Sequence, residues 1–322
     1  MKAMVQRAYG APDVLALQEV ATPSPGRTDV LIRIHASKAG PSDCAFRKGD
    51  PVMIKWLYGL SRPRFGIGGT ELAGVVEAVG KEVTRFKPGD RVLGLSPTTF
   101  GAYADYKCLP EDSPLARIPD NVAHEEAVAI CDGGATALTF LRDKAKLRKG
   151  QRVLINGASG AVGIYAVQLA KYYGAEVTGV CSAANEALVR QAGADDVVDY
   201  TREDFTQAHA AYDVILDAVG KRSFPACKRA LTAKGRYLTT VPSLSILLQM
   251  MRTSLTNGKR AVFATAGLMQ SQANLAFLME LAKHGTLKAV IDRRYPLELL
   301  PEAHRYVETE RKKGNVIITV RH

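Results

Sequence analysis

No apolar run in the chain approaches the roughly 20 residues that a membrane-spanning helix needs, so no membrane span is expected. Cysteine is scarce: Cys44, Cys108, Cys131, Cys181 and Cys227 make five, an odd number, far apart and without a Cys-x-x-Cys pair. That spacing excludes a disulfide framework and a structural zinc knuckle, and it suits a reducing compartment. The first twenty residues of the sequence alternate as a strand does, where a secretory leader would run basic and then greasy. A soluble, cytoplasmic protein is the expectation. Internal repeats and low-complexity tracts are also missing.

Acidic residues are in deficit, 32 against 43 Lys and Arg, for a net charge of +11. The basic residues read as scattered, with short groups at 142–149 and 311–313, so the charge reads as a solvated surface, part of which can serve an anionic cofactor. A nucleic-acid partner asks for a clustered stripe and is disfavoured.

What is present suits a packed protein of two domains: 322 residues, 47% hydrophobic and 23% charged. To about residue 120, short β-branched runs alternate with turns: strands are expected at 2–6, 30–35, 72–79, 91–95 and 102–108, with Lys87-Pro88-Gly89-Asp90 as turn chemistry. A helical period then runs from Glu125 to Arg142, after which strand and helix alternate. Strands are expected at 152–156, 176–182, 196–200, 212–219, 235–241 and 261–265, with helices at 162–173, 185–191 and 223–231. Such βαβ alternation is the signature of a doubly wound parallel sheet. The remainder, a helix at 275–284 and then strand, helix and strand to 320, has no room for its own core and is expected to rejoin the first domain.

The strongest local signal is Val153-Leu154-Ile155-Asn156-Gly157-Ala158-Ser159-Gly160-Ala161-Val162-Gly163, an apolar strand that enters three glycines spaced by three and then a helix. Gly157 can make the tight turn, Gly160 can let backbone N–H groups approach a pyrophosphate, and Gly163 can let helix and strand pack closely. An NAD site adds an acid at the end of the second strand, about 20 residues on. Here that strand ends Val180-Cys181-Ser182-Ala183-Ala184. Ser182, with Tyr200 and Arg202 after the next strand, can receive a 2′-phosphate without charge repulsion, so NADPH is expected over NADH.

Over nearly its whole length the chain resembles the quinone oxidoreductase and alkenal/one oxidoreductase-like branch of the medium-chain dehydrogenase/reductases. The matching stretches are Gly69-Thr70-Glu71-Leu72-Ala73-Gly74-Val75-Val76, Lys87-Pro88-Gly89-Asp90-Arg91-Val92, Gly133-Gly134-Ala135-Thr136-Ala137-Leu138, the glycine loop, and Gly314-Asn315-Val316-Ile317-Ile318. The resemblance implies an α/β protein with a GroES-like substrate domain (1–122 and 268–322) and a Rossmann NADP-binding domain (123–267). Zinc relatives hold a catalytic metal with Cys, His and Cys; this chain has Gly40, Thr70 and Asp132 at those positions, so no metal is expected. A quinone or α,β-unsaturated carbonyl, which spreads the charge brought by hydride onto oxygen, is then the expected acceptor.

The resemblance also implies site residues. Thr136 falls near the nicotinamide, Ser159, Gly160, Ala161 and Val162 at the pyrophosphate, and Ser182 and Tyr200 at the adenosine phosphate. Val219 falls near the adenosine ribose, Val241 and Ser243 beside the nicotinamide ribose, and Phe263 and Thr265 opposite the carboxamide; Lys313, Gly314 and Asn315 close over the dinucleotide. Many relatives carry Lys two residues after the serine, where this chain has Ala184, so dual use of NADH stays open. Tyr58, in a lid from Phe46 to Arg64 with Trp56, is the candidate for holding the carbonyl or donating a proton, with aromatic packing as the alternative. Asp43 reads mainly as a carboxylate bracing its loop. A homodimer is implied by analogy, through the strand at 261–265. The apolar segment 244–255 reads as core or lid before partner surface. The alternatives in function are an enoyl-thioester or other specialised double-bond reductase, and a crystallin-like or RNA-binding protein that holds NADPH without turnover.

Overall fold

β-branched alternation in the first third of the chain builds sheet. β1 (Lys2–Gln6) pairs antiparallel with β2 (Leu15–Glu19). β3 (Asp29–Ala39) is the long central strand, with Val30, Ile32, Ile34 and Ala36 wholly buried, the period of two that turns alternate side chains to one face. Two short helices follow, α1 (Pro41–Lys48) and α2 (Met53–Tyr58). Pro41 opens α1, the Gly40 N–H donates to Asp43 Oδ2 at 2.9 Å, and Gly49 closes the helix at φ 66°, a left-handed cap that glycine adopts without strain. β4 (Glu71–Val79), β5 (Arg91–Leu95), β6 (Tyr106–Pro110) and β7 (Leu115–Arg117) extend the sheet around β3.

The strand expected at 102–108 begins only at Tyr106. Upstream, the backbone bonds elsewhere: Ala102 N donates to Gly69 O at 3.2 Å, Tyr103 N to Gly68 O at 3.1 Å, and Tyr103 O accepts from Met4 N at 2.8 Å.

The computed structural model describes residues 1–268 and 270–322, which form two units. The first is Met1–Asp132 with Gln270–His322; the second begins at Gly133 and ends before Gln270, so the division falls inside α3 (His124–Leu138). In the second unit β8 (Arg152–Asn156), α4 (Gly163–Tyr172), β9 (Glu176–Cys181), α5 (Glu186–Gln191) and β10 (Asp196–Asp199) form one half. The other half is β11 (Tyr212–Asp217), α6 (Phe224–Cys227), β12 (Leu231–Thr239), α7 (Leu244–Ser254) and β13 (Arg260–Phe263). The sheet is parallel throughout, in the order β10-β9-β8-β11-β12-β13. That is the doubly wound Rossmann order, whose switch point lies between β8 and β11.

Two expectations fail here. The helix expected at 223–231 is confined to Phe224–Cys227, because Ala211 N and Tyr212 N donate to Ala230 O at 2.9 and 3.0 Å and draw Leu231 into β12. The segment expected as core or lid is α7, and the core alternative fails, since only Ile246 is buried. Its inner face meets β13, where Phe263 N donates to Met250 Sδ and Ala261 N to Thr253 Oγ1, both at 3.1 Å.

The tail returns to the first unit as α8 (Gln272–Lys283), β14 (Ile291–Pro296), α9 (Leu300–Glu308) and β15 (Asn315–Thr319). β15 lies antiparallel to Ala36–Ala39 of β3 and buries Val316, Ile317 and Ile318 completely. Lacking a core of its own, it completes the first sheet.

Candidate active site

At the carboxyl edge of the parallel sheet, β8 runs into the glycine loop. Gly157 takes φ 82°, and Gly157 N and Ala158 N both donate to Val180 O, at 3.1 and 3.0 Å. A Cβ at Gly157 would stand 2.3 Å from Val219 Cγ2, and one at Gly163 would stand 2.1 Å from Gly157 O. The first glycine therefore serves the turn and the third the close approach of α4 to its strand. Gly133 does the same for α3, since a Cβ there would meet Ala161 O at 2.2 Å. Thr136, three residues further along α3, is buried.

The expected dinucleotide residues of the second unit gather along this edge. Asn185 Nδ2 reaches Ser159 Oγ at 3.1 Å, tying the glycine loop to the segment that Ser182 opens. Tyr200 N donates to Cys181 O at 3.2 Å, which sets the exposed Tyr200 beside the end of β9. Val219 and Val241, each 41% exposed, follow β11 and β12, and Gly220 lies between them, a Cβ there meeting Val241 Cγ2 at 2.5 Å. Ser243 caps α7, accepting from Ile246 N at 3.2 Å; Phe263 ends β13 and Thr265 is exposed just beyond it.

Two residues missed from the sequence organise this edge. Asp217, wholly buried at the end of β11, accepts from Asn156 Nδ2, Val219 N, Gly220 N, Arg222 N and Tyr237 OH at 2.9–3.1 Å, fixing the loop that carries Val219. Its signal was an Asp closing an apolar strand before a glycine. Asp199 lies beside Cys181 in the sheet register, at the end of β9. Hydrogen bonds from the Thr201 amide and hydroxyl hold its carboxyl below the usual range, and Arg202 pairs with it at 3.7 Å.

The other expected residues belong to the first unit. Lys313 N donates to Asp292 Oδ2 at 2.9 Å; Gly314 takes φ 61° where a Cβ would stand 2.5 Å from Val290 O; Asn315 is buried, its Nδ2 donating to Val290 O at 3.2 Å. The expected lid, Phe46 to Arg64, takes in the end of α1 and all of α2, with Trp56 73% exposed. The Tyr58 ring lies edge-on to Phe46 and Phe100, centroids 5.0 and 5.2 Å away, and lines an aromatic recess with Phe65, Asp43 and Tyr103. Burial pushes its phenol pKa up.

The donor set at the three positions named for zinc does not fit that metal. Gly40 has no side chain, Thr70 offers a hydroxyl and Asp132 a single carboxylate, where zinc is held by thiolate and imidazole. Beside them lies a buried ion pair that the sequence reading missed: Lys38 Nζ stands 2.8 Å from Glu71 Oε1, while Glu71 Oε2 accepts from Asp132 N at 3.0 Å. Burial opposes the Lys38 charge, but Glu71 and Asp132 outweigh it and raise the lysine pKa. An ammonium there repels a second cation. Among the described residues, no group of three or more His, Cys, Asp and Glu could hold a metal ion. Lys312, two residues before Gly314, is pushed down to about 8 by burial and by Lys38.

A GroES-like sheet unit with a doubly wound dinucleotide unit inserted in it defines a two-domain nicotinamide oxidoreductase. The alcohol dehydrogenase GroES-like domain family matches residues 26–120, and the zinc-binding dehydrogenase family matches residues 192–318. The chloroplastic quinone-oxidoreductase homolog of Spinacia oleracea is 31% identical over 319 residues, covering 96% of this chain and 95% of that protein. Among solved structures, the quinone oxidoreductase from Coxiella burnetii superposes with a TM-score of 0.90 at 27% identity, over 100% of this chain and 99% of that one. A mycobacterial protein complexed with NADPH superposes with a TM-score of 0.83 at 26% identity, over 99% and 100%. The chain belongs to the medium-chain dehydrogenase/reductase family, in its quinone oxidoreductase branch. It is an NAD(P)H-dependent oxidoreductase.

Proposed function

We propose that the protein reduces quinones or α,β-unsaturated carbonyl compounds with NADPH, without a metal. The observation that carries the reading is the Lys38–Glu71 pair beside ligand positions that do not suit zinc. With no Lewis acid to polarise a simple ketone, an acceptor must spread the negative charge itself, as quinones and enones do.

When bound, the nicotinamide supplies the hydride; the chain binds, orients and handles the proton. In this reading Ser159, Gly160, Ala161 and Val162 hold the pyrophosphate, Val219 the adenosine ribose, and Val241 and Ser243 the nicotinamide ribose. Thr136, Phe263 and Thr265 flank the nicotinamide, and Lys313, Gly314 and Asn315 close over the dinucleotide. Ser182 and Tyr200 take the 2′-phosphate, a choice supported by the missing acid at the end of β9 and by Asp199 being engaged with Thr201 and Arg202. Tyr58 holds the acceptor oxygen. The proton that completes the reduction comes from Tyr58 or from solvent.

Five free cysteines, four of them buried, support a reducing, cytoplasmic setting. β13, hydrogen-bonded within its sheet to β12, supports a homodimer in which a second copy continues that sheet.

The test is the oxidation of NADPH, and separately NADH, against a benzoquinone, a phenanthrenequinone and a short alkenone, with and without a chelator. Chelator-insensitive turnover that prefers NADPH is expected. Dinucleotide binding without turnover of any acceptor would sink the reading.

A further inference from the structure

The net positive charge is not scattered as the sequence suggested. Between Asp217 and Glu280 the chain carries no acidic residue and nine basic ones, which accounts for most of the net +11. α7 lies in the middle of this stretch.

At 100° per residue, Leu244, Leu247, Leu248, Met251 and Leu255 fall within an arc of about 100° on the helix and its first following residue. All five are exposed, Leu244 at 82% and Leu255 at 88%. The opposite side, with Ile246, Met250 and Thr253, is the side held by β13. The stripe therefore points away from its own sheet. Exposed Arg252 borders it, and just beyond its C-terminal end lie Lys259 and Arg260, with Lys259 Nζ donating to Lys228 O at 2.6 Å. An apolar stripe bordered by basic groups is the composition of a helix that lies in a membrane interface.

We propose that α7 docks the protein on an anionic phospholipid bilayer, its leucines and Met251 entering the acyl boundary while Arg252, Lys259, Arg260 and Lys228 meet the lipid phosphates. Charge decides among occupants. A second copy seated on the stripe would bring two net-basic stretches together, whereas an anionic bilayer complements them. RNA would complement the charge but leave five apolar side chains in water. The proposal does not depend on the acceptor or on turnover.

The test is flotation of the full chain with phosphatidylcholine vesicles, with and without phosphatidylglycerol, at low and high salt. Wild type should float with the anionic vesicles, far less with the neutral ones, and less at high salt. Leu248→Ser/Met251→Ser/Leu255→Ser, changed only on the outward face, should bind at least about tenfold more weakly while NADPH binding and the melting temperature hold. Arg252→Glu/Lys259→Glu, an independent arm, should weaken binding about tenfold without touching the stripe. No flotation of wild type overturns the proposal, as does unchanged flotation of the triple variant, which would mean charge alone. A triple variant that loses a wild-type dimer while vesicle binding stays absent assigns the stripe to a second copy and also overturns it.

Discussion

Asp217 in the second unit and Asp43 in the first are both buried, 0% and 6% exposed, yet their oxygens are served differently. Asp217 receives five hydrogen bonds, three of them from backbone amides of the loop that it shapes. Asp43 Oδ2 accepts from Gly40 N and the carboxyl faces the Tyr103 hydroxyl, which donates to Lys38 O; burial pushes the carboxyl up to about 6. The same recess in the first unit holds Arg47, whose Nη2 pairs with Glu308 while Nε and Nη1 have no partner, and His304, whose Nε2 has none. Buried polar atoms are ordinarily paired, and each exception costs free energy. Around Asp217 the second unit is a tightly bonded frame, with Asn185 Oδ1 as its one unpaired buried side-chain atom among the described residues, whereas the first unit keeps several polar groups in reserve on the side expected to meet the acceptor.

That contrast breaks most sharply at Lys38. Burial already pushes the Glu71 carboxyl up to about 8 with Lys38 beside it, so Lys38→Met leaves a buried carboxyl that must either hold an uncompensated charge or take up a proton, and should cost up to about 3–5 kcal/mol at alkaline pH, read from the urea midpoint. Lys38→Met/Glu71→Leu removes both charges and should recover most of the loss. If the single and double variants melt alike, the pair does not carry the electrostatic weight assigned to it.

In the second unit the matching change is Asp217→Ala. It leaves several donors buried without an acceptor, at about 2–4 kcal/mol, and frees the loop carrying Val219 and Gly220. NADPH affinity, followed by fluorescence of the dinucleotide, should fall by about tenfold or more. Unaltered affinity in a folded variant would show that the loop does not need its anchor.

What was legible in the sequence follows the same division. The glycine loop, the βαβ order and the return of the tail are written in local spacing, because each glycine answers a neighbour a few residues away in sequence or one strand away in the sheet. The Lys38–Glu71 pair and the Asp43, Arg47 and His304 recess are not, since they join β3 to β4, and α1 to α9 across most of the chain. His35, His124 and His322 likewise come together with no sequence motif, His35 and His124 stacked at 4.8 Å and His322 edge-on to His35 at 5.4 Å. The core alternative for 244–255 failed for another reason: apolar content at helical spacing states that a face is apolar and leaves open what that face touches.

Acid should sharpen the comparison, because the second unit contains only one histidine, His209, and the first contains five. His304 is buried, and burial with Arg47 nearby pushes its pKa down to about 3; His124 is pushed down to about 4, by burial first. Between those values and the unfolded value near 6.5, the unfolded chain binds the proton and the fold does not, so stability falls as pH drops through that window. The slope for His304 should approach about 1.4 kcal/mol per pH unit. Urea midpoints from pH 6.5 downward should show it, and His304→Gln should flatten it; an equal slope in the variant would remove His304 from the account.

The smallest effect, and the most discriminating, is expected at Tyr58. Its ring is held by Phe46 and Phe100, so Tyr58→Phe keeps the packing and removes the hydroxyl alone. Melting should not change. Reduction of a quinone places charge on an oxygen of a forming aromatic hydroquinone, which needs little help, whereas reduction of an alkenone places it on an enolate, a stronger base that gains more from a donor. Loss of the hydroxyl should therefore lower kcat on the alkenone by about tenfold and on the quinone by about twofold or less. Equal losses on both acceptors would make Tyr58 a general determinant of the pocket, and no loss on either would leave it as packing.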